Sequence, residues 1–559
     1  MPDYQVGAHN AAAVAQICRQ LEGIPLAIEL AAARVNLLTA QQLAGRLEGA
    51  FRLLTGGSRT ALPRHKAMRA TIDWSYQLLN PSEGILLQRL SVFAGGCTLE
   101  AAESVCAGEG LDAADVLDIL DSLVAKSMVI AGRGQGEEAR YRLVEMVREY
   151  AREQLANAGE TNRLLQRHQA FFLALAETGF EMAATRERVA WIKKLNAEQD
   201  NYRLTLDWSF SDSGEAGNIE AGPRMIVALF RIQPLTSQEW RDRNQKALAW
   251  CQHHPEISGR IYARLLGVAA GAMSGDDLPG AVAGLKEAVE LSRHLGPEGK
   301  HILMWNLADL SNKLASQNEL DEARSTSEEG QAILHELGPD SFPPGRFVYY
   351  LAHVAADNAR LANKQGRFVD AKNHAAESIQ LYRQAGFGVG EFDGYLEIGH
   401  ACLELREYDE AREAFLKALQ WSLQYVRKVD DDGLAYVYRC LGFVDLKQGN
   451  LVRALDYCRA SLRQAYNEQV HEFMASSLAL AAATWARLGQ PARAASLAGA
   501  SVSLYASTGR TPWEDSSLDT LLPGWRDRLN QGMISRAFET GRIMSVDQMV
   551  AYALSDQAE

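Results

Sequence analysis

Gly449-Asn450-Leu451-Val452-Arg453-Ala454 is one copy of a phrase that recurs through the second half of the chain. A turn residue comes first, then an apolar or aromatic residue, two more positions, and an alanine. The other copies are Gly275-Asp276-Asp277-Leu278-Pro279-Gly280-Ala281, Gln317-Asn318-Glu319-Leu320-Asp321-Glu322-Ala323 and Gly366-Arg367-Phe368-Val369-Asp370-Ala371. Arg406-Glu407-Tyr408-Asp409-Glu410-Ala411 and Gly489-Gln490-Pro491-Ala492-Arg493-Ala494 complete the set. Successive alanines lie 40–48 residues apart. A period of that length predicts helical hairpins that cannot bury their apolar faces alone and must stack into an array.

The phrase resembles the inner turn of tetratricopeptide repeats, where alanine lets the second helix lie close against the first. The resemblance implies a superhelix with a concave groove that takes a peptide, a protein segment or a small inducer. The first helix of each unit supplies the groove candidates: Trp305, Asn312, Tyr350, His353, Tyr395, Tyr436 and Arg439, with Asn306, Tyr349, Asn358 and His400 as further members. Each of these can equally be an ordinary packing residue.

Upstream, His65-Lys66-Ala67-Met68-Arg69-Ala70-Thr71-Ile72-Asp73-Trp74-Ser75-Tyr76-Gln77-Leu78-Leu79 reads as a helix with Met68, Ile72, Tyr76 and Leu79 on one face. Pro81-Ser82-Glu83 opens the next helix, and Gly95-Gly96 precedes a short third one at 99–103. Val116–Val124 is amphipathic at helical period. Met128-Val129-Ile130 and Tyr141-Arg142-Leu143 flank the turn Gly132–Gly136 and read as a β-hairpin. Helices followed by such a hairpin make a winged helix. The recognition position carries Asp112, Asp115, Asp118 and Asp121 against Lys126 alone, a face that repels phosphates. Direct DNA binding by this chain is therefore not expected.

The stretch 65–155 is similar to the winged helix of STAND-class, NB-ARC-type switches. Gly23-Ile24-Pro25-Leu26-Ala27 resembles the GLPL motif of the same class, which implies Ile24, Pro25 and Leu26 as adenine contacts beside a nucleotide-binding core. Read from the residues alone, it is a proline-started helix in a helical subdomain. Where the family places a Met-His-Asp triplet this chain has Leu143-Val144-Glu145, and Val144 cannot donate to a phosphate. Arg64, His65, Lys66 and Arg69 form a compact basic cluster, as a phosphate contact in a longer parent or as a solvated helix flank. A P-loop needs Gly-x-x-x-x-Gly-Lys-Ser/Thr. The nearest imitation, His294-Leu295-Gly296-Pro297-Glu298-Gly299-Lys300-His301, fails at both ends. Trp191-Ile192-Lys193-Lys194-Leu195-Asn196-Ala197-Glu198-Gln199-Asp200-Asn201-Tyr202 resembles the phrase that opens the sensor array in bacterial relatives.

Composition narrows the function classes. The chain has 559 residues, 47% of them hydrophobic, and a formal charge of −13, which disfavours a general nucleic-acid or anionic-membrane binder. Seven cysteines without a Cys-x-x-Cys pair suit buried reduced thiols in a cytoplasmic protein, and no stretch approaches a membrane span. His253-His254 and His471-Glu472 lack metal-site spacing, so no metal, catalytic residue or enzyme activity is expected. The expected fold class is mostly α. A helical subdomain over 1–62 precedes a winged helix with a small β-hairpin over 63–158 and an irregular helical linker over 159–255. A tetratricopeptide-like array follows over 256–510, then a helical cap over 511–559. The resemblance implies the sensing and autoinhibitory part of a STAND-type regulator, without a cofactor of its own, with ATP or ADP and oligomerisation belonging to a full-length parent whose motor and output modules lie before Met1. A stand-alone scaffold and a subunit completing a separately encoded NTPase are the alternatives.

Overall fold

The computed structural model describes residues 10–21, 25–33, 35, 38–45, 63–133, 138–183, 185, 187–211, 217–230, 237–273, 277–423, 432–508, 517–525 and 532–555. They form two compact units, 1–183 with 190–261 and 184–189 with 262–559. No helix among the described residues is long and apolar enough to cross a membrane.

In the first unit, helices Pro63–Gln77, Pro81–Leu90, Leu99–Cys106 and Val116–Ala125 precede a hairpin, and Glu145–Asn157 follows it. The cap of the second helix is Asn80 rather than the Pro-Ser-Glu run. Its side chain accepts from the Glu83 backbone N–H while the Glu83 carboxylate accepts from the Asn80 N–H, both at 2.9 Å, and Pro81 stands where no donor is needed. The wing strands are β2, Ile130–Arg133, and β3, Ala139–Arg142, paired antiparallel. They start later than the hydrophobic runs suggest. Met128 and Val129 are buried in the core as chain entering the sheet, while the nominal turn residues Gly132 and Arg133 carry ladder positions. A third strand that the sequence did not advertise, β1 at Cys97–Thr98, pairs with β3 on its other edge. Two residues are too few for a periodic signal. The close approach is possible because Gly96 has φ 93° and a Cβ there would lie 2.6 Å from the Tyr141 carbonyl.

Arg89 is the largest fully buried side chain of this unit. It donates to the carbonyls of Cys106 at 2.8 Å, Gly108 at 2.7 Å and Glu109 at 2.9 Å, and to both Glu160 oxygens at 2.9 and 3.1 Å. One guanidinium thereby ties the loop after the third helix to the start of the long helix Thr161–Met182. Cys97 and Cys106 lie in the same core, and burial pushes the Cys106 thiol up to about 12, which keeps it protonated and unreactive.

Six successive helix pairs follow among the described residues, five of them wholly within the second unit and the first beginning at 259, in the first unit. They pair Gly259–Gly271 with Leu278–His294, Lys300–Ser316 with Leu320–Leu337, and Arg346–Lys364 with Phe368–Gln384. Glu391–Glu404 then pairs with Tyr408–Trp421, Asp432–Gln448 with Leu451–Asn467, and His471–Arg487 with Pro491–Thr508. The phrase alanines Ala281, Ala323, Ala371, Ala411, Ala454 and Ala494 are all buried one turn into each second helix, where any larger side chain would force the pair apart. The tetratricopeptide-like reading thus holds, down to the turn. Its αL position is filled by Gly366, Gly449 and Gly489, by Asn318, and once by Arg406 at φ +64°. Beyond the last hairpin, helix Gly532–Arg542 packs on Pro491–Thr508, and Val546–Leu554, started by a Ser545–Gln548 capping box, buries Met549, Val550 and Ala553.

Arginine in the left-handed region is strained, and glycine there is not. Because Arg406 is exposed, Arg406→Gly should raise the unfolding free energy by ~1 kcal/mol. Urea denaturation of the full chain measures it, and an unchanged or lower midpoint would contradict the assignment of strain to this turn.

Candidate functional site

The first helices of the array carry the groove candidates, and the structure sorts them into groups. Trp305 meets Tyr350 edge-on with ring centroids 4.8 Å apart, and His353 lies 6.4 Å from Trp305. These three line one cleft together with Ser327, Gly330, Gln331, Leu334 and Asp357. Its interior of about 30 Å³ admits a water or two, far less than a drug-sized ligand needs. Arg264 stacks 5.5 Å above the Trp305 ring, and His353 Nδ1 lies 3.2 Å from the Tyr382 hydroxyl. Asn312 joins this group through Arg360, whose Nη1 donates to its Oδ1 at 3.2 Å.

Tyr436 and Arg439 form a separate group. The Tyr436 hydroxyl is 2.8 Å from His400 Nε2, and the Arg439 guanidinium lies 4.9 Å from the Tyr436 ring centre, itself buried. Tyr395 stands apart, accepting from Arg383 Nη2 at 2.7 Å. Asn306 and Tyr349 are core residues, and the Asn358 amide oxygen accepts from Ser327. The sequence reading passed over Asp357, Arg360, Asn363, Asp393 and Glu397. The signal was present: Tyr350, His353, Asp357, Arg360 and Lys364 step by three and four along one helix and share a face.

In the winged helix, only Asp118 and Asp121 of the four acidic residues belong to the recognition-position helix Val116–Ala125. Asp112 caps the 3-10 turn Ala113–Asp115 that precedes it. Leu117, Asp118 and Asp121 are exposed. Lys126 is spent internally, pairing with Glu83, which also accepts from Ser122 at 2.6 Å. Burial pushes the Glu83 carboxyl up, and the Lys126 and Ser122 hydrogen bonds outweigh it and hold the group below the usual carboxylate range. Of the basic cluster at 64–69, only the Arg69 side chain falls among the described residues, and it pairs with Glu153 at the surface. Ile24 lies outside the described residues, as do the side chains of Pro25 and Leu26. Pro25 does begin a helix, Pro25–Ala32, which buries Leu30 and Ala31.

The phrase at 191–202 acquires a physical role within the first unit. Asn201, fully buried, donates from Nδ2 to the Gly96 carbonyl at 2.9 Å and to Glu198 Oε2 at 2.7 Å. Its Oδ1 accepts from the Ala94 N–H at 2.8 Å and lies 3.3 Å from His168 Nε2. Glu198 also pairs with Arg140 of β3, and Arg140 Nη2 reaches the Gly96 carbonyl at 3.2 Å. The Gly-Gly turn and the wing are thus bolted to the helices Thr161–Met182 and Gln199–Ser209. With Nδ2 committed to two oxygens, Asn201 Oδ1 faces His168, so Nε2 carries the imidazole proton, while Nδ1 lies 3.0 Å from Thr205 Oγ1, whose one proton also reaches the Asn201 carbonyl at 2.8 Å. His168 packs 4.4 Å from Phe172 and 5.4 Å from Phe93, and burial lowers its pKa to about 4.

Elsewhere, Cys402, Glu407 and Glu410 lie close enough to share a cation, but Lys372 Nζ already pairs with both carboxylates at 2.5 and 2.8 Å.

Residues 79–156 match the family model described as a winged helix-turn-helix domain. This segment is a winged helix. A Mycobacterium tuberculosis protein provisionally named an HTH-type transcriptional regulator is 40% identical over 275 residues, covering 47% of this chain and 30% of the relative. An uncharacterized protein of the same species is 40% identical over 168 residues, 30% of this chain and 42% of its own length. The chain therefore spans less than half the length of these curated relatives. Among solved structures, a STAND protein with a tetratricopeptide repeat sensor from Pyrococcus horikoshii aligns with TM-score 0.46 and 16% identity, over 93% of this chain and 75% of that one. A Rap protein complexed with competence and sporulation factor aligns with TM-score 0.44 and 13% identity, over 68% and 99%.

The joint predicts two behaviours. Between pH 6.5 and about 4 the unfolded imidazole of His168 takes up a proton that the folded one refuses, so stability falls as pH drops through that window, by roughly 3 kcal/mol in all. His168→Gln should flatten that slope in pH-dependent denaturation, and an unaltered slope would refute the assignment. Asn201→Ala strands the buried Ala94 N–H and leaves the Gly96 carbonyl to Arg140 alone, and should cost on the order of 2 kcal/mol, with hydrogen exchange quickening at 94–98.

Proposed function

We propose that this chain is the sensing and transmitting part of a cytoplasmic signal-transduction regulator, in which the repeat groove binds a protein or peptide segment and the winged helix acts as a protein-facing lever. The observation that carries the reading is the winged helix itself. Its recognition-position helix offers Leu117, Asp118 and Asp121 outward while Lys126 is held by Glu83. A face of that kind raises the electrostatic cost of approaching DNA and suits a protein contact. The Asn201 joint supports the lever, since it makes the wing and the helices behind it move together. The small cleft at Trp305 favours an extended chain laid along the groove over an enclosed small inducer.

The regulator name of the mycobacterial relative fits this reading. Autoinhibition of an ATP- or ADP-bound core, with Ile24, Pro25 and Leu26 near the adenine, would belong to a regulator that includes such a core. No catalytic role is assigned to this chain. A constitutive scaffold and a partner for a separately encoded NTPase differ from it in whether nucleotide changes groove affinity.

Two measurements test the proposal. A random-sequence DNA duplex at low salt should not be retarded by the full chain; a salt-dependent shift abolished by Arg133→Ala with Arg142→Ala would make the domain a DNA binder. Short random peptides selected on the full chain should be retained by wild type and lost at least tenfold by the Trp305→Ala, His353→Ala double variant. Retention that is equal in both would move the binding surface out of the groove.

A further inference from the structure

Among the described residues, the apolar core of the array thins between its third and fourth helix pairs. One buried cluster runs from Cys402 to Ala553 through the last three pairs and the helices after them, and it has no member from Arg346–Lys364 or Phe368–Gln384. The clusters of the preceding pairs end at Leu361 and Phe387. Between them lie Ala362, Ala371 and Ala401, with Phe368 packed against them. Ile379 and Tyr382 meet bare backbone there: a Cβ on Gly394 would lie 2.5 Å from Ile379, and one on Gly390 2.5 Å from Tyr382. A glycine supplies no ridge to interlock with the neighbouring helix.

Polar links take over this joint. Arg360 Nε donates to Glu397 Oε1 at 3.3 Å, and Asn363 Nδ2 donates to Glu397 Oε2 at 2.8 Å and to its backbone carbonyl at 3.0 Å. Arg383 donates from Nε and Nη2 to Glu391 Oε2 at 3.0 and 2.8 Å, and Lys372 Nζ reaches Glu407 and Glu410 at 2.5 and 2.8 Å. In these links every basic residue is on the third pair and every carboxylate on the fourth. Ion pairs cross other joints as well, but beside apolar contact. Lys286–Glu322 and Arg293–Glu329 join the first two pairs, where Leu285, Val289, Leu303 and Leu307 share one cluster. Arg412 and Asp445 join the fourth pair to the fifth, within the span of the long cluster.

The two kinds of joint open at different cost. Parting an apolar face exposes surface that water cannot satisfy. Parted ion pairs and amides regain hydration, which offsets most of the lost interaction, and salt screens them further. We propose that the array hinges at this joint. The pairs before it and the pairs after it move as two bodies about the contact of Phe368–Gln384 with Glu391–Glu404. Arg360, Lys372 and Arg383 are the electrostatic latch, holding the closed pose on Glu391, Glu397, Glu407 and Glu410. Trp305, Tyr350 and His353 precede the hinge, and Tyr395, Tyr436 and Arg439 follow it, so opening alters the spacing between the two sets. The hinge itself does not depend on what the groove binds.

The test is a pair of spin-label distances in the full chain, read by pulsed electron resonance. Val369 and Leu416 are exposed on the second helices of the third and fourth pairs, and Val452 on that of the fifth. All cysteines except the half-buried Cys18 are buried. Labels therefore go on Val369→Cys with Leu416→Cys across the joint, and on Leu416→Cys with Val452→Cys as the control, each with Cys18→Ser. Raising salt from about 0.1 M to about 1 M cuts the screening length from about 10 Å to about 3 Å, and should broaden the 369–416 distance distribution roughly twofold while leaving 416–452 unchanged. Glu391→Gln with Glu397→Gln should broaden the 369–416 distribution by a like amount at low salt. A 369–416 distribution that stays narrow in salt, or broadens no more than the control, would overturn the hinge. So would a folded Glu391→Gln, Glu397→Gln variant without the broadening. Where that variant does not fold, the salt titration of the wild-type joint decides.

Discussion

Close approach of two helices inside each hairpin is the constraint on which the array depends. A helix pair reaches short axial separations only where small side chains face each other, and here the buried alanine of every phrase copy supplies that position. Large residues then fill the space on either side, as Phe415 does behind Ala411 and Leu455 beside Ala454. Because each hairpin has apolar surface on both faces, the next hairpin completes its core, and the first helices are left to form a common inner surface. The polar residues of Arg346–Lys364 and Glu391–Glu404 meet there for this reason, although they lie more than thirty residues apart in the chain.

The first unit is held by a different principle. Its winged helix has an ordinary apolar core, but its connection to the helices that follow is polar and buried. Arg89 with Glu160 fastens one side, and Arg140, Glu198 and Asn201 fasten the other. Such groups contribute little net stability compared with apolar packing, yet breaking any one of them strands the rest. The consequence is orientation: the wing can occupy one pose relative to Thr161–Met182 and few others.

Charge underlies the proposed preference of the two units for protein partners. The recognition-position helix turns acidic side chains outward and keeps its lysine for Glu83. In the array, Asp357 and Glu397 gather around Arg360. Both surfaces carry negative charge, in keeping with the formal charge of −13, and the proposed preference for protein partners rests on that.

Much of the fold was legible in the chain because it is carried by local rules. The phrase copies and the proline-started helix at Pro81 each depend on residues a few positions apart, whereas the Asn80 cap and the exact bounds of the wing turn emerged only from the structure. The candidate sites were less legible. Trp305, Tyr350 and His353 could be nominated from helix phase, but their meeting in one cleft, the burial of Arg439 and the isolation of Tyr395 depend on how hairpins stack. Strand β1 was invisible because its two residues become a strand only when Gly96 lets β3 come alongside. Asp357 and Glu397 read in the sequence as solvated acids. Only tertiary structure decides that Arg360 engages both of them together with Asn312. Periodicity and turn chemistry are properties of neighbours along the chain, whereas an ion-pair cluster is a property of neighbours in space.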